Sequence, residues 1–376
     1  MGAGAAKRGI CLGAASLALT ALGVLGAGHA GVRAEGGANG PTRVQYAAPT
    51  TLCSVTDPRL DSISGMAASR GALYVANDTA PVTVYRLDDR CRVATRTVLT
   101  LPAAHDPVAA LRANGSTAVD LEDMAVDADG ALWLGDVGGN RAPRAVVSLY
   151  RWVPGTVQDA AASREVLPRS QAKHRAANQV TRYDLRYPDG PHDVEALLVS
   201  LTGEVVLVTK VDTGVAGIYA ADLPLRPVST VRRIGTLDLR PWLPGRLTTA
   251  LAVTGGAVAP DGVHFALRTH GAALEWDAPD GDIVNALAVG VPRPLPLGNA
   301  LQGEAITYAE GRSALLTEGE QLPAPLGSVA LRREPGYAPP AGPVFPPAVL
   351  AGAGATGLLC VFVGWLAWRR REGEPE

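Results

Sequence analysis

The sequence predicts an all-β fold of the β-propeller class. Three observations carry the prediction: a hairpin pattern that returns five times between residues 60 and 320, a glycine in the turn of each copy, and carboxylates that match between copies at the start of the first strand. A period of roughly 50 to 70 residues with up to four strands per unit is the pattern of blades stacked radially around a channel.

The five copies are "SISGMAASRGALYVAND" from Ser62, "DLEDMAVDADGALWLGD" from Asp120, "DVEALLVSLTGEVVLVTK" from Asp193, "VTGGAVAPDGVHFALRT" from Val253 and "QGEAITYAEGRSALLTE" from Gln302. Each reads as an antiparallel hairpin, with turns such as Asp129-Gly130 and Asp261-Gly262. Third strands follow in "PVTVYRL" at Pro81, "AVVSLYRW" at Ala145, "GIYAAD" at Gly217 and "GSVALRR" at Gly327; fourth strands are available in "QVTRYDLRY", "VRRIGTLDL" and "RPLPL". Five blades are counted, and six if one has diverged past recognition. A β-sandwich is the competing architecture, but its strands have no reason to repeat one acidic start. Trp133, Trp152 and Trp276 are expected to pack between blades. The segment "TRVQYAAPTTL" before the first copy is expected to supply the outer strand of the last blade and close the ring.

The propeller is assigned to residues 43–333, and the flanks read as membrane-handling segments. Residues 1–34 look like a secretory signal: Lys7 and Arg8 precede an apolar run from Ile10 to Leu25, and small residues allow cleavage near Ala30 or Ala34. A Pro-rich stalk occupies 334–347. The uncharged stretch 348–368 is long enough to span a bilayer, with Trp365 and Trp368 placed for the interface, and the tail 369–376 opens with Arg369, Arg370 and Arg371. The expected location is the cell membrane, single-pass, with an extracellular propeller and a short basic cytoplasmic tail. A cleaved lipid-anchor signal is the rival reading, which the terminal arginines oppose.

Four cysteines sort on this topology: Cys11 belongs to the signal and Cys360 to the span, leaving Cys53 and Cys91 outside the cell. A disulfide between them is expected in an oxidising compartment, stapling the ring closure to the first blade. The formal charge of −2, without basic clusters away from the termini, gives no footprint for nucleic acid.

In a propeller the first strand of each blade lines the channel, so equivalent residues converge. Glu122 aligns with Glu195 and Glu304, with Ser64 and Thr254 at that place in the other two copies; Asp120 and Asp193 align two positions earlier, opposite Gln302. Like charges so close need compensation, and an oxygen-only donor set favours a hard cation such as Ca²⁺. The candidate metal ligands are Asp120, Glu122, Asp136, Asp193, Glu195 and Glu304. The second strands end at the same mouth with Asn77, Asp78, Asp136, Lys210, Arg268 and Glu318. Of these, Asn77, Asp78, Lys210 and Arg268 are the candidates for holding an anionic ligand, the two cations serving as counter-charges or as anchors for a group such as a phosphate ester. A purely structural use of the acids, bonding backbone amides of neighbouring blades, competes with both. No Gly-x-Ser-x-Gly elbow is present to support a serine hydrolase.

The fragments "SGMAAS" at Ser64, "AND" at Ala76, "DLEDMAVDADGALWLGDVGGNR" at Asp120, "YPDGPHDVEALLV" at Tyr187 and "QGEAI" at Gln302 resemble a group of secreted bacterial propellers related to the phytase-like, "esterase-like activity of phytase" proteins. That resemblance implies a propeller, in relatives a six-bladed one, and suggests calcium and phosphate-ester chemistry. Relatives carry an Asp-Ile-Gly-Asp-Asn-Arg turn where this chain has Asp136-Val137-Gly138-Gly139-Asn140-Arg141, so the carboxylate at position 139 is missing. Two functions follow. One is a surface module binding an anionic small molecule, glycan or envelope protein at an acidic, cation-holding mouth; the other is a Ca²⁺-dependent phosphoester hydrolase. The module is preferred because no dedicated acid or base can be named.

Overall fold

The structure is a computed structural model that describes residues 45–106, 119–139, 144–155, 179–297 and 303–332. The signal, stalk, span and tail assigned above lie outside the described residues, as do Gln302, Asn140 and Arg141. No helix among the described residues is long and apolar enough to cross a membrane.

Five sheets, antiparallel but for one added edge strand, follow one another along the described chain, each built from the inside outward. Strands β1 (Gln45–Tyr46) and β2 (Thr50–Val55) come first and find their partner last. Blade 1 holds β3 (Ile63–Ser69), β4 (Ala72–Asn77), β5 (Thr83–Leu87) and β6 (Val93–Val98) in order. Blade 2 holds β7 (Leu121–Val126), β8 (Leu132–Asp136), β9 (Val146–Trp152) and β10 (Val180–Arg186). Blade 3 holds β11 (Val194–Val199), β12 (Glu204–Thr209) and β13 (Val215–Asp222), and closes on β15 (Arg232–Asp238). The strand skipped there, β14 (Val228–Thr230), pairs in parallel with β10 and widens blade 2. Blade 4 holds β16 (Val253–Val258), β17 (His264–Thr269), β18 (Ala272–Asp277) and β19 (Arg293–Pro294), with helix α1 (Ile283–Val289) before its last strand. Blade 5 holds β20 (Gly303–Tyr308), β21 (Ala314–Gly319) and β22 (Ala324–Arg332), whose outer edge takes up β1 and β2.

The described residues therefore form a five-bladed β-propeller, closed by its own N-terminal strands as the sequence predicts. Cys53 on β2 is bonded to Cys91, just before β6, across a separation of 38 residues. The expected staple between the closing blade and blade 1 is thus present.

Local chemistry explains the hairpins. Arg70 and Gly71, between β3 and β4, both have positive φ (54° and 75°), the geometry of a two-residue turn whose twist matches the strands it joins. The Asp127 carboxylate accepts the amides of Asp129 and Ala131, which shapes the turn between β7 and β8.

The core is distributed rather than central. Five clusters of buried apolar side chains each lie between one pair of neighbouring blades. Trp152 packs in the seam between blades 1 and 2, edge-on to Tyr74 at 6.4 Å. Trp133 packs between blades 2 and 3, stacked on Tyr183 at 5.5 Å. Trp276 packs between blades 3 and 4, stacked on Phe265 at 5.5 Å. Aromatic burial at the seams is what holds radially arranged sheets together.

Candidate functional site

All five inner hairpins break register at one place. The pairing skips Ser64, Glu122, Glu195, Thr254 and Glu304, leaving each as the extra residue of a bulge at the start of its inner strand. A bulge re-aims a side chain that regular pleating would send to a sheet face. Here four of the five, all but Thr254, line one cavity of about 300 Å³ at the mouth of the ring. The aligned residues of the sequence thus converge, and the bulge is the local reason.

The smaller bulge residues also lock blades together. Ser64 Oγ donates to the Glu122 carbonyl at 2.8 Å and to its Oε2 at 3.2 Å; Thr254 Oγ1 donates to the Gly303 carbonyl at 2.8 Å. Each bond joins one blade to the next.

Glu122, Asp193 and Glu195 form the tightest acidic group, each offering an oxygen within 4.8 Å of the others. Glu122 is 3 % exposed and Glu195 1 %. Burial pushes the Glu122 carboxyl up to about 10, helped by the neighbouring charges of Glu195 and Asp120. Burial also pushes Glu195 up to about 8, against the pull of Lys210, whose Nζ donates to Glu195 Oε1 at 2.6 Å. Asp193 is raised by burial and eased by the Gly139 amide, which donates to its Oδ1 at 2.5 Å. Burial works against the Lys210 ammonium, but Glu195 overrides it and raises the group.

The turn after β8 forms one wall of this group. A Cβ on Gly138 would sit 2.0 Å from Glu122 Oε1, so the glutamate lies flush on the backbone there. Arg144 clamps the turn, its Nε donating to the Gly138 carbonyl at 2.6 Å and its Nη1 to Asp136 Oδ1 at 2.8 Å. Asp136, expected among the metal ligands, is 2 % exposed and also accepts the Asp120 amide at 3.1 Å and the Tyr150 hydroxyl at 3.3 Å. Its carboxylate shapes the turn and lies outside the group of three. Asp120 flanks that group, its charge adding to the upward push on Glu122 and Asp193.

At the mouth, the strand pairing sorts the second-strand tips. Residues 78, 137, 210, 270 and 320 are equivalent, one step beyond the pairs Ile63 with Asn77, Leu121 with Asp136, Val194 with Thr209, Val253 with Thr269 and Gly303 with Gly319. Asp78 and Lys210 hold this position and line the cavity, as do His270 and Glu320, which the sequence did not single out. His270 Nδ1 lies 3.4 Å from Glu304 Oε1, and burial raises the Glu320 carboxyl, with Glu304 and Asp78 adding to it.

Arg268 and Glu318 sit two positions deeper. Arg268 is 2 % exposed, its Nη1 donating to the Ala305 carbonyl at 3.1 Å, and burial brings its guanidinium down to about 10. The anion-anchoring role expected of Arg268 is thereby denied access to the mouth. Glu318 is 1 % exposed, neither carboxylate oxygen has a hydrogen-bond partner among the described residues, and burial holds it near 8 against the opposing charge of Arg268. Asn77, the last residue of β4, donates its side-chain amide to the Arg59 carbonyl at 2.8 Å.

Asp123, next to Glu122, carries the structural role that competes with metal binding for such acids. It is fully buried; Oδ1 accepts the Met124 amide at 2.8 Å, and Oδ2 accepts Leu197 at 2.8 Å and Gly256 at 2.9 Å. One carboxylate thus joins the inner strands of blades 2, 3 and 4 beneath the mouth. A second cavity, of about 240 Å³ and lined by Met124, Ala257 and Tyr308 among others, opens at the other end of these strands and shares no lining residue with the first.

Fold and site together define a five-bladed β-propeller with an acid-lined mouth. No protein-family model matches the chain, and no curated protein matches it. Among solved structures it is similar to a gluconolactonase from Xanthomonas campestris at 16% identity, with 72% of each chain covered and a TM-score of 0.38. It is also similar to a glutaminyl cyclase from Myxococcus xanthus (10% identity, 78% of this chain and 100% of that chain, TM-score 0.41). A third is the PQQ-bound aldose sugar dehydrogenase from Streptomyces coelicolor (10%, 78% and 99%, TM-score 0.40). At these values no activity or ligand passes to this chain, and the five-bladed ring rests on its own strand pairing.

Proposed function

We propose that the propeller is a membrane-anchored extracellular binding module that holds a divalent cation of the calcium class in its acidic mouth and presents that mouth to an anionic small molecule, a glycan or an envelope protein. The convergence of Glu122, Asp193 and Glu195 within 4.8 Å carries this reading. The donor set fits the ion: it is all oxygen, and calcium takes six to eight oxygen ligands without strict geometry. Glu122, Asp193 and Glu195 would hold the ion, with Asp120 and Glu304 adding negative field. Bound there, the cation would take the place of the protons that burial favours on these carboxyls. Anchoring rests on the pattern of the signal and the span in the sequence.

The phytase-like hydrolase remains the second reading, on the strength of the sequence resemblance. It is less well supported because Arg268, one of its two phosphate anchors, is buried on the Ala305 carbonyl. Calorimetry of the full-length chain with CaCl₂, paired with a phosphate-release screen, separates the two. The binding module predicts saturable heat at millimolar Ca²⁺ or below, at least tenfold weakened in Glu122→Gln and Glu195→Gln, without phosphate release. Absence of binding in the folded chain contradicts the cation site; calcium-dependent phosphate release that these variants abolish makes the chain a hydrolase.

A further inference from the structure

The sequence is unusually sparing with lysine. Of its 34 Lys and Arg residues only Lys7, Lys173 and Lys210 are lysines, and Lys210 is the one lysine among the described residues. Every other described site of that charge is an arginine, including those that clamp turns and join blades. Arginine presents a planar fork suited to fixed bidentate pairing, whereas lysine presents a compact point charge on a flexible stem. The acidic group at the mouth is the place that carries the compact cation on its flexible stem.

Its position is specific. Lys210 occupies the mouth position shared by Asp78, His270 and Glu320, and its ammonium lies 2.6 Å from Oε1 of Glu195, a member of the acidic group. Glu195 is 1 % exposed, but the Lys210 side chain retains 21 % exposure. The carboxylate is fixed in the wall while the ammonium borders open space.

We propose that Lys210 is a tethered counter-cation that stands in for the divalent ion at Glu195 and is displaced from it when the ion binds; this rests on the reading of the mouth as a cation site. A divalent ion shared by Glu122, Asp193 and Glu195 brings its charge against the ammonium on the same buried carboxylate, and like charges at that range repel strongly. The ion has no freedom to retreat from the group; the lysine stem has. The cavity of about 300 Å³ gives the ammonium room to turn, and Glu304 and Glu320, which line it, offer the next carboxylates. Cation binding thus moves a positive charge from the wall into the mouth, where it becomes available to an anionic ligand. Without the ion, Lys210 keeps the acidic wall neutralised and the fold intact.

Calorimetry of the full-length chain with CaCl₂ tests the competition. Lys210→Met is expected to bind Ca²⁺ at least tenfold more tightly than the wild type, and Lys210→Arg no more tightly. Equal or weaker binding by Lys210→Met, beside a wild type that binds, overturns the displacement while leaving the cation site standing. Binding by Lys210→Met alone supports it, and absence of binding in both folded proteins removes the site and the displacement together. Because breaking a buried pair can unfold the variant, the wild type supplies a second readout: acylation of Lys210 by a limiting amine-reactive ester, followed by peptide mass spectrometry. Calcium is expected to accelerate it at least threefold; an unchanged or slower rate overturns the displacement.

Discussion

At the scale of single residues, the mouth turns on how Glu122 and Glu195 respond to pH. In the folded state they are pushed to about 10 and about 8 from an ordinary value of 4.5, chiefly by burial. A raised carboxyl means that the folded chain holds its protons more tightly than the unfolded chain. This contribution is complete below pH 4.5 and is progressively lost as pH rises toward 8 to 10. Without divalent ions, thermal stability should therefore fall between about pH 5 and pH 9 by this mechanism. Added Ca²⁺ should restore more of it at the alkaline end than at the acid end. Thermal melts in chelator and in Ca²⁺ check this, and a melting temperature that climbs with pH in chelator would contradict it.

Much of that residue-level site was legible in the sequence, and the reason is visible. Glu122, Glu195 and Glu304 align because each follows the first residue of an inner strand, a place set by the hairpin pattern. The tips were harder. The bulge consumes one residue of the first strand, and the Gly-containing turns differ in length, so counting along the second strand put Arg268 and Glu318 where His270 and Glu320 stand. Asp123 gave no separate signal: beside Glu122 in an acidic run, nothing local says which carboxylate turns inward to amides and which toward the mouth.

Among elements, the inner strands are joined by more than seam packing. Asp123 on β7 binds amides of β11 and β16, so strands from three blades share one acceptor. Gly256 supplies one of those amides, and a Cβ there would stand 2.9 Å from Leu198 Cδ2, so that side chain would have to shift. Asp123→Ala leaves three buried amides without their acceptor, and buried donors so orphaned cost about 1 to 3 kcal/mol each. We expect a loss of about 3 kcal/mol or more, read as a lowered urea midpoint; a change within 0.5 kcal/mol, the range of an ordinary surface substitution, would contradict the strut. The parallel strand β14 was not legible, being three residues beside a proline and ordered only by the blade it extends.

For the whole molecule, the ring is closed by strands from opposite ends of the described chain, β1 and β2 against β22. The Cys53–Cys91 disulfide ties that closure to blade 1. A closed loop of 38 residues corresponds to about 4 kcal/mol in the chain-entropy account. Cys53→Ser/Cys91→Ser should lower unfolding stability by about that amount in guanidinium titrations, without changing far-ultraviolet circular dichroism. A double variant as stable as the wild type would show that strand pairing alone closes the ring. The five-blade count and its closure were legible because they depend on repetition, which needs no side-chain detail. The same ring sets its mouth apart from the cavity at its other end, so chemistry at the mouth is confined to one face.

The most direct test of the central claim is a crystal of the propeller soaked in a calcium-mimicking anomalous scatterer such as Mn²⁺. The account predicts an anomalous peak bounded by Glu122, Asp193 and Glu195, with the Lys210 ammonium turned away from Glu195. A mouth without such a peak, with Lys210 still seated on Glu195, would contradict it.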